Sequence, residues 1–98
     1  MNYLLTPEAE SELAEAVTFY ALNVSLNVAR NFLAKFEEKA QLLTEFPGIG
    51  TPTTKGRQLF PIGRYPYSIL YRVHDGAVRI SAIAAHARRP LYWHKRQP

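Results

Sequence analysis

Toward its C-terminal end the chain reads His86-Ala87-Arg88-Arg89-Pro90-Leu91-Tyr92-Trp93, which sets an imidazole, two guanidiniums and a phenol within seven residues. An imidazole titrates near neutrality and can take or give a proton. A guanidinium grips phosphate or carboxylate through two parallel hydrogen bonds. A phenol supplies a proton or a stacking face. Together these groups meet the needs of metal-independent phosphodiester cleavage. His86 would act as base or acid, Arg88 or Arg89 would stabilise the charged phosphorane, and Tyr92 would donate. One histidine with two arginines is a sparse constellation for catalysis, and the same residues serve equally well as a docking surface. Tyr92 and Trp93 have a third use, because large aromatics near a terminus often close the open end of a small core.

Composition removes several other chemistries. Cysteine is absent, so disulfides and thiolate metal sites are impossible. The histidines, His74, His86 and His94, fall in a turn, at a strand end and in the tail, so no metal site or cofactor is expected. Gly48, Gly50 and Gly56 do not make a phosphate loop, since no strand precedes them and no helix follows; they read as turn residues. The apolar run at the N-terminus is too short for a signal peptide, and none approaches the roughly 20 residues that span a bilayer. A soluble, cytoplasmic protein with no membrane partner is expected.

The net charge of +4 is the sum of two unlike halves. Residues 1–50 hold three basic and seven acidic side chains, a balance of −4, whereas residues 51–98 hold nine basic side chains against Asp75 alone, a balance of +8. So one-sided an excess on a small domain marks the face that meets a polyanion or an acidic protein.

The elements that must position these groups follow from periodicity. At 98 residues the chain makes a single domain, residues 1–98. Tyr3-Leu4-Leu5 is a short strand, stopped by Thr6-Pro7, an N-cap with proline at the first helical position. Ala9, Leu13, Ala16, Val17, Tyr20 and Ala21 then recur at helical spacing, with Glu8, Glu10 and Glu12 in the first turns facing water. Ser25 caps a second helix after a connection so short that the two must be antiparallel neighbours. Its stripe, Ala29, Phe32, Leu33, Phe36, Ala40, Leu43 and Phe46, is core rather than chemistry.

A Pro- and Gly-rich loop to about Gly56 leads to a strand over 57–62, which Pro61 ends or confines to an edge. Tyr65, Tyr67, Ile69, Tyr71 and Val73 alternate along the next strand, and Asp75-Gly76 is the pair a type I′ hairpin turn prefers. That turn sets the register with the last strand, 77–85: Val73 opposite Val78, Tyr71 opposite Ile80, Ile69 opposite Ala82 and Tyr67 opposite Ala84, all on the face that the helices cover. On the other face Leu70 meets Ser81, Ser68 meets Ile83 and Arg72 meets Arg79. Two arginines directly opposite each other repel, so either they splay into solvent or they await an anion. The fold expected is α+β, an N-terminal strand and a helical hairpin packed on one face of a small, mainly antiparallel sheet, in the order β-α-α-β-β-β with a short tail.

That order, together with Leu5-Thr6-Pro7-Glu8-Ala9, Leu43 to Gly50 (Leu-Thr-Glu-Phe-Pro-Gly-Ile-Gly), Ile69-Leu70-Tyr71-Arg72-Val73 and His86-Ala87-Arg88-Arg89, resembles the RelE/ParE superfamily of toxins from bacterial type II toxin-antitoxin systems. The resemblance covers nearly the whole chain and implies a growth inhibitor neutralised by a cognate antitoxin, whose acidic, partly disordered C-terminal segment wraps the basic sheet, in a higher-order complex. RelE-like members cleave mRNA on the ribosome, whereas ParE-like members act on DNA gyrase without cutting RNA. RelE-type enzymes carry basic residues on the two strands before the last; here the positions that look equivalent hold Leu59, Pro61 and Ser68, and only Arg88 has a clear counterpart. Some nuclease branches use a histidine where His86 sits. The His-Ala-Arg-Arg ending looks more like ParE, so the resemblance implies a gyrase inhibitor first and a nuclease using His86, Arg88 and Tyr92 second. The residues expected to bind target or antitoxin are Arg64, Arg72, Arg79, Arg88, Arg89 and Trp93.

Overall fold

The computed structural model describes residues 1–97. The chain runs through β1 (Asn2–Leu5), α1 (Pro7–Asn23), α2 (Leu26–Glu45), β2 (Thr51–Pro52), β3 (Gln58–Pro61), β4 (Tyr67–His74) and β5 (Ala77–Ala85), with single 3₁₀ turns at Pro47–Ile49 and Thr54–Gly56. The sheet order is β1-β5-β4-β3-β2. β1 lies parallel to β5, and every other pair is antiparallel. This is the α+β arrangement expected, with the two-residue β2 added at the far edge.

Both helices begin where the capping residues place them. The Thr6 hydroxyl accepts from the Ala9 N–H at 3.2 Å and the Ser25 hydroxyl from the Val28 N–H at 3.1 Å. Each bond satisfies a donor that the first helical turn leaves open. The main core lies between the helices and one face of the sheet, built on Phe32, Phe36, Leu43, Ile69, Tyr71 and Ile80. Burying side chains of this size contributes about 1.5–3 kcal/mol each. Phe46, the last candidate of the α2 stripe, is exposed, because the helix has already ended. Val73 is also exposed, at the hairpin tip beyond the reach of the helices.

At the hairpin turn Asp75 and Gly76 take φ of 51° and 74°, the left-handed geometry that a type I′ turn requires. Val73 opposite Val78, Arg72 opposite Arg79 and Tyr71 opposite Ile80 follow as expected. The register then shifts by one between Leu70 and Tyr71, so that Leu70 faces Ala82, Ile69 faces Ile83, Ser68 faces Ala84 and Tyr67 faces Ala85. Ser81 is the extra residue of a β-bulge, which corrects the four pairs expected beyond Tyr71. A one-residue insertion reverses the faces of all that follows. Ile83 therefore joins the helix-covered core, while Ala82 and Ala84 turn to the opposite face.

That opposite face is not bare. Leu70, Ala82 and Ala84 are covered by Trp93, with Leu59 and Tyr92 alongside, so the C-terminal tail folds back over the sheet as a second, smaller core. Gly50 is a close-approach residue rather than a turn residue. A Cβ there would lie 2.5 Å from the Tyr71 hydroxyl, which donates to the Pro47 carbonyl at 2.8 Å and accepts the Gly50 N–H at 3.0 Å.

Candidate functional site

His86 leaves the end of β5 with its N–H bonded to the Pro66 carbonyl at 2.9 Å, and its Nε2 lies 2.9 Å from the Ser68 hydroxyl of β4. With Arg88, Arg89, Tyr92 and Trp93 it lines a surface cavity of about 300 Å³. The tail groups singled out by type and spacing are therefore brought together, but two of them, Arg88 and Tyr92, are turned onto a carboxylate.

The centre is a residue that sequence reasoning placed in water. Glu12 of α1 reaches under the tail, where its side chain is only 11 % exposed. One carboxylate oxygen accepts from the Ile83 N–H at 3.0 Å and from Arg96 at 2.8 Å. The other accepts from the Tyr92 hydroxyl at 2.6 Å, from Arg96 at 3.0 Å and from Arg88 at 3.4 Å. Burial alone would raise the Glu12 carboxyl, but the bonds from Arg96, Tyr92 and Ile83 and the Arg96 charge outweigh it and hold it below the usual carboxylate value. The same contacts raise the Arg96 guanidinium, chiefly through its bond to Glu12. Burial, then the bond to Glu12 and its negative charge, push the Tyr92 phenol well above its ordinary range.

This arrangement limits what the tail can do chemically. The Tyr92 proton is held by a carboxylate, so it is a poor general acid. The Arg88 guanidinium lies 3.7 Å from the centre of the Tyr92 ring, stacked on it, with its remaining face open to solvent. Arg88 and the exposed Arg89 can still meet an anion. No three histidine, aspartate or glutamate side chains converge to hold a metal among the described residues.

Trp93 is a correction. It is 3 % exposed and packs on the sheet, with the Arg57 guanidinium 5.1 Å from its ring centre, so it is a core residue rather than an exposed aromatic. Arg64 lies in the exposed turn before β4, away from the His86 cavity. Arg72 and Arg79 sit side by side on the tail-covered face toward the hairpin tip. The basic surface therefore divides into an Arg88–Arg89 end and an Arg72–Arg79 end.

Two further residues of this face carried no expectation from sequence. Arg57 is fully buried and donates to the carbonyls of Trp93 at 3.4 Å, His94 at 3.0 Å and Arg96 at 3.1 Å, and to Thr54. Burial, with the nearby Arg72 charge, lowers its pKa. Arg96 closes the Glu12 cluster from the far end of the tail and also donates to the Ser81 carbonyl at 3.0 Å. Glu12 did carry a signal, because it stands three residues after Ala9 and four before Ala16, on the edge of the buried stripe. Neither arginine lies in a periodic pattern that would mark it.

Comparison with known proteins fits this architecture. Residues 3–90 match the family model described as the ParE toxin of the type II toxin-antitoxin system parDE. Among solved structures, a chain of the chromosomal ParDE toxin-antitoxin system from P. aeruginosa superposes with a TM-score of 0.76 at 22 % identity, over 87 % of this chain and 95 % of that one. The YoeB dimer from Staphylococcus aureus superposes with a TM-score of 0.58 at 18 % identity, over 88 % and 97 %. At those identities the likeness is one of fold. No curated protein sequence matches. With 88 consecutive residues accounted for by the family model, the chain belongs to the ParE family of toxins of type II toxin-antitoxin systems.

Proposed function

We propose that this toxin stops growth by binding DNA gyrase through a protein interface, and that its cognate antitoxin silences it by laying an acidic, partly disordered C-terminal segment over the basic face. The observation that carries the reading is the Glu12 cluster. The arginine and the phenol that a phosphodiester-cleaving site would need free are both engaged by one partly buried carboxylate. Charge stabilisation at phosphorus is usually the largest catalytic term in such reactions, and a carboxylate beside the site works against it. The exposed arginines Arg64, Arg88 and Arg89 and the half-buried Arg72 and Arg79, more than one surface patch between them, suit recognition of an acidic protein better than one-point catalysis. The cytoplasm is where such a target and antitoxin would be met.

A second reading, a ribosome-dependent endoribonuclease, draws on the His86–Ser68 pair and on the cavity that His86 shares with Arg88 and Arg89. Induced expression separates the two. Inhibition of gyrase supercoiling by the purified protein, with an SOS response and intact mRNA in the cell, is the expected result. Codon-positioned cuts in mRNA, abolished by His86→Ala and accompanied by silent DNA-damage markers, would overturn it.

A further inference from the structure

The two edges of the sheet are unlike. β2, at one edge, is two residues long and ends on Pro52, which has no N–H to offer another strand. β1, at the other, reads Asn2-Tyr3-Leu4-Leu5 and carries no proline, charge or bulge, the devices that keep an edge from pairing. Just past its end the Thr6 N–H donates to the Ile80 carbonyl at 2.9 Å. Backbone groups alternate sides along a strand, so Leu4 also turns its N–H and C=O toward β5, while Tyr3 and Leu5 turn theirs outward. β5 is the one strand paired with β1 among the described residues, so the outward groups of Tyr3 and Leu5 have no strand to meet.

Beside this edge lies an apolar groove of about 570 Å³, lined by Tyr3 and Leu5 of β1, Leu13 and Val17 of α1, and Leu33 and Phe36 of α2. Tyr3 packs edge-on against the buried Phe36, with ring centres 6.1 Å apart. A strand added to β1 would send alternate side chains into this groove and the others to the opposite face of the sheet. Both charged residues on the groove are acids, Glu10 of α1 and Glu37 of α2. Burial first, and then the Glu37 charge, raise the Tyr3 phenol, which places that charge within reach of the edge. The rim selects among occupants. A second copy paired edge to edge would set its own Glu10 and Glu37 against these, like on like, and an acidic segment is disfavoured for the same reason, whereas lysine or arginine finds opposite charge there.

We propose that β1 and this groove form a docking surface for an extended segment of another protein, with aliphatic residues at alternate positions and lysine or arginine at its ends, added to the sheet edge as a further strand. Its aliphatic side chains fill the groove, its backbone meets the N–H and C=O of Tyr3 and Leu5, and its cations meet Glu10 and Glu37.

The test is an NMR titration of the full chain with acetylated, amidated Lys-Thr-Val-Thr-Leu-Thr-Lys, carried to millimolar concentration. Saturable shifts of the Tyr3 and Leu5 amides and of the Leu13 and Val17 methyl groups are expected, with exchange of the two amides slowed at least about tenfold at saturation. Two analogues are N-methylated on alternate residues, one on valine and leucine and the other on the threonines. One should bind like the parent and the other should fail, since a strand turns alternate N–H groups to its neighbour. An analogue with glutamate for lysine should bind at least about tenfold more weakly, and a variant carrying both Glu10→Lys and Glu37→Lys should reverse that preference. Absence of saturable shifts, equal binding of the glutamate analogue, or equal behaviour of the two methylated analogues would each overturn the proposal. So would Tyr3 and Leu5 amides whose protection in the free protein rises with its concentration, the mark of a second copy on the edge. The peptide needs neither gyrase nor antitoxin, so failure here leaves the gyrase reading standing, and failure of that reading leaves this surface standing.

Discussion

Replacing Glu12 by alanine tests the tail cluster most directly. The substitution strips acceptors from the Ile83 N–H, the Tyr92 hydroxyl and both terminal nitrogens of Arg96 in one step. Arg96 keeps its bond to the Ser81 carbonyl and is 22 % exposed, so part of its cost is met by water. The Ile83 amide and the Tyr92 hydroxyl have less recourse. Breaking a buried charge cluster by removing one partner costs about 3–5 kcal/mol. For a domain of this length each kcal/mol moves the midpoint by about 4–8 °C, so Glu12→Ala should lower Tm by at least about 12 °C at pH 7.

The pH dependence gives an independent check on that figure. The Glu12 carboxyl is depressed in the folded chain, so its stabilisation is present above the ordinary carboxylate value of 4.5 and is lost as pH falls through the folded value. The gap between wild type and Glu12→Ala should therefore narrow below that pH. Trp93, the single tryptophan, reports on the tail: its emission should shift to the red in the variant at temperatures where circular dichroism still shows folded helices. A Tm loss below about 4 °C at pH 7, equivalent to less than one kcal/mol, would refute the assignment of Glu12 as the anchor of the tail.

Three other outcomes follow from the geometry. Arg57→Lys should lower stability by about 2–4 kcal/mol in urea unfolding and speed amide exchange across the tail, because an ammonium cannot span the carbonyls that the guanidinium joins. Gly50→Ala should cost about 1–3 kcal/mol by forcing the Tyr71 ring aside, measured by the same unfolding curve. Arg72→Ser should leave Tm unchanged or raise it slightly, as it relieves like charges facing across two strands; calorimetry reads this, and antitoxin binding should weaken in the same variant.

Much of the scaffold is legible in the chain because its signals are local. The Thr6-Pro7 and Ser25 caps, the α2 stripe and the Asp75-Gly76 turn each involve residues within four positions of one another, so their physics is complete before the chain folds. The register of the hairpin was correct as far as Tyr71 opposite Ile80, where the turn still governs it. It failed at Ser81 because either face of the strand offered apolar partners, and only competition between the helices on one side and Trp93 on the other selects which face Ile83 and Ala84 take.

The candidate site divides along the same line. The stretch His86 to Tyr92 and the opposed Arg72 and Arg79 stand out by residue type alone, and the charge excess of the second half is a property of composition. What those groups can do was decided by contacts that span most of the chain: Glu12 meeting Tyr92 and Arg96, and Arg57 meeting the carbonyls of the tail. Sequence alone thus determined both helices, the longer strands, the family and the sign of the charge excess, since these follow from short-range patterning and composition. The tertiary structure alone decided that a carboxylate from the first helix occupies the arginines and the phenol of the tail, because a charge pair of that separation exists only once the sheet and helices have packed.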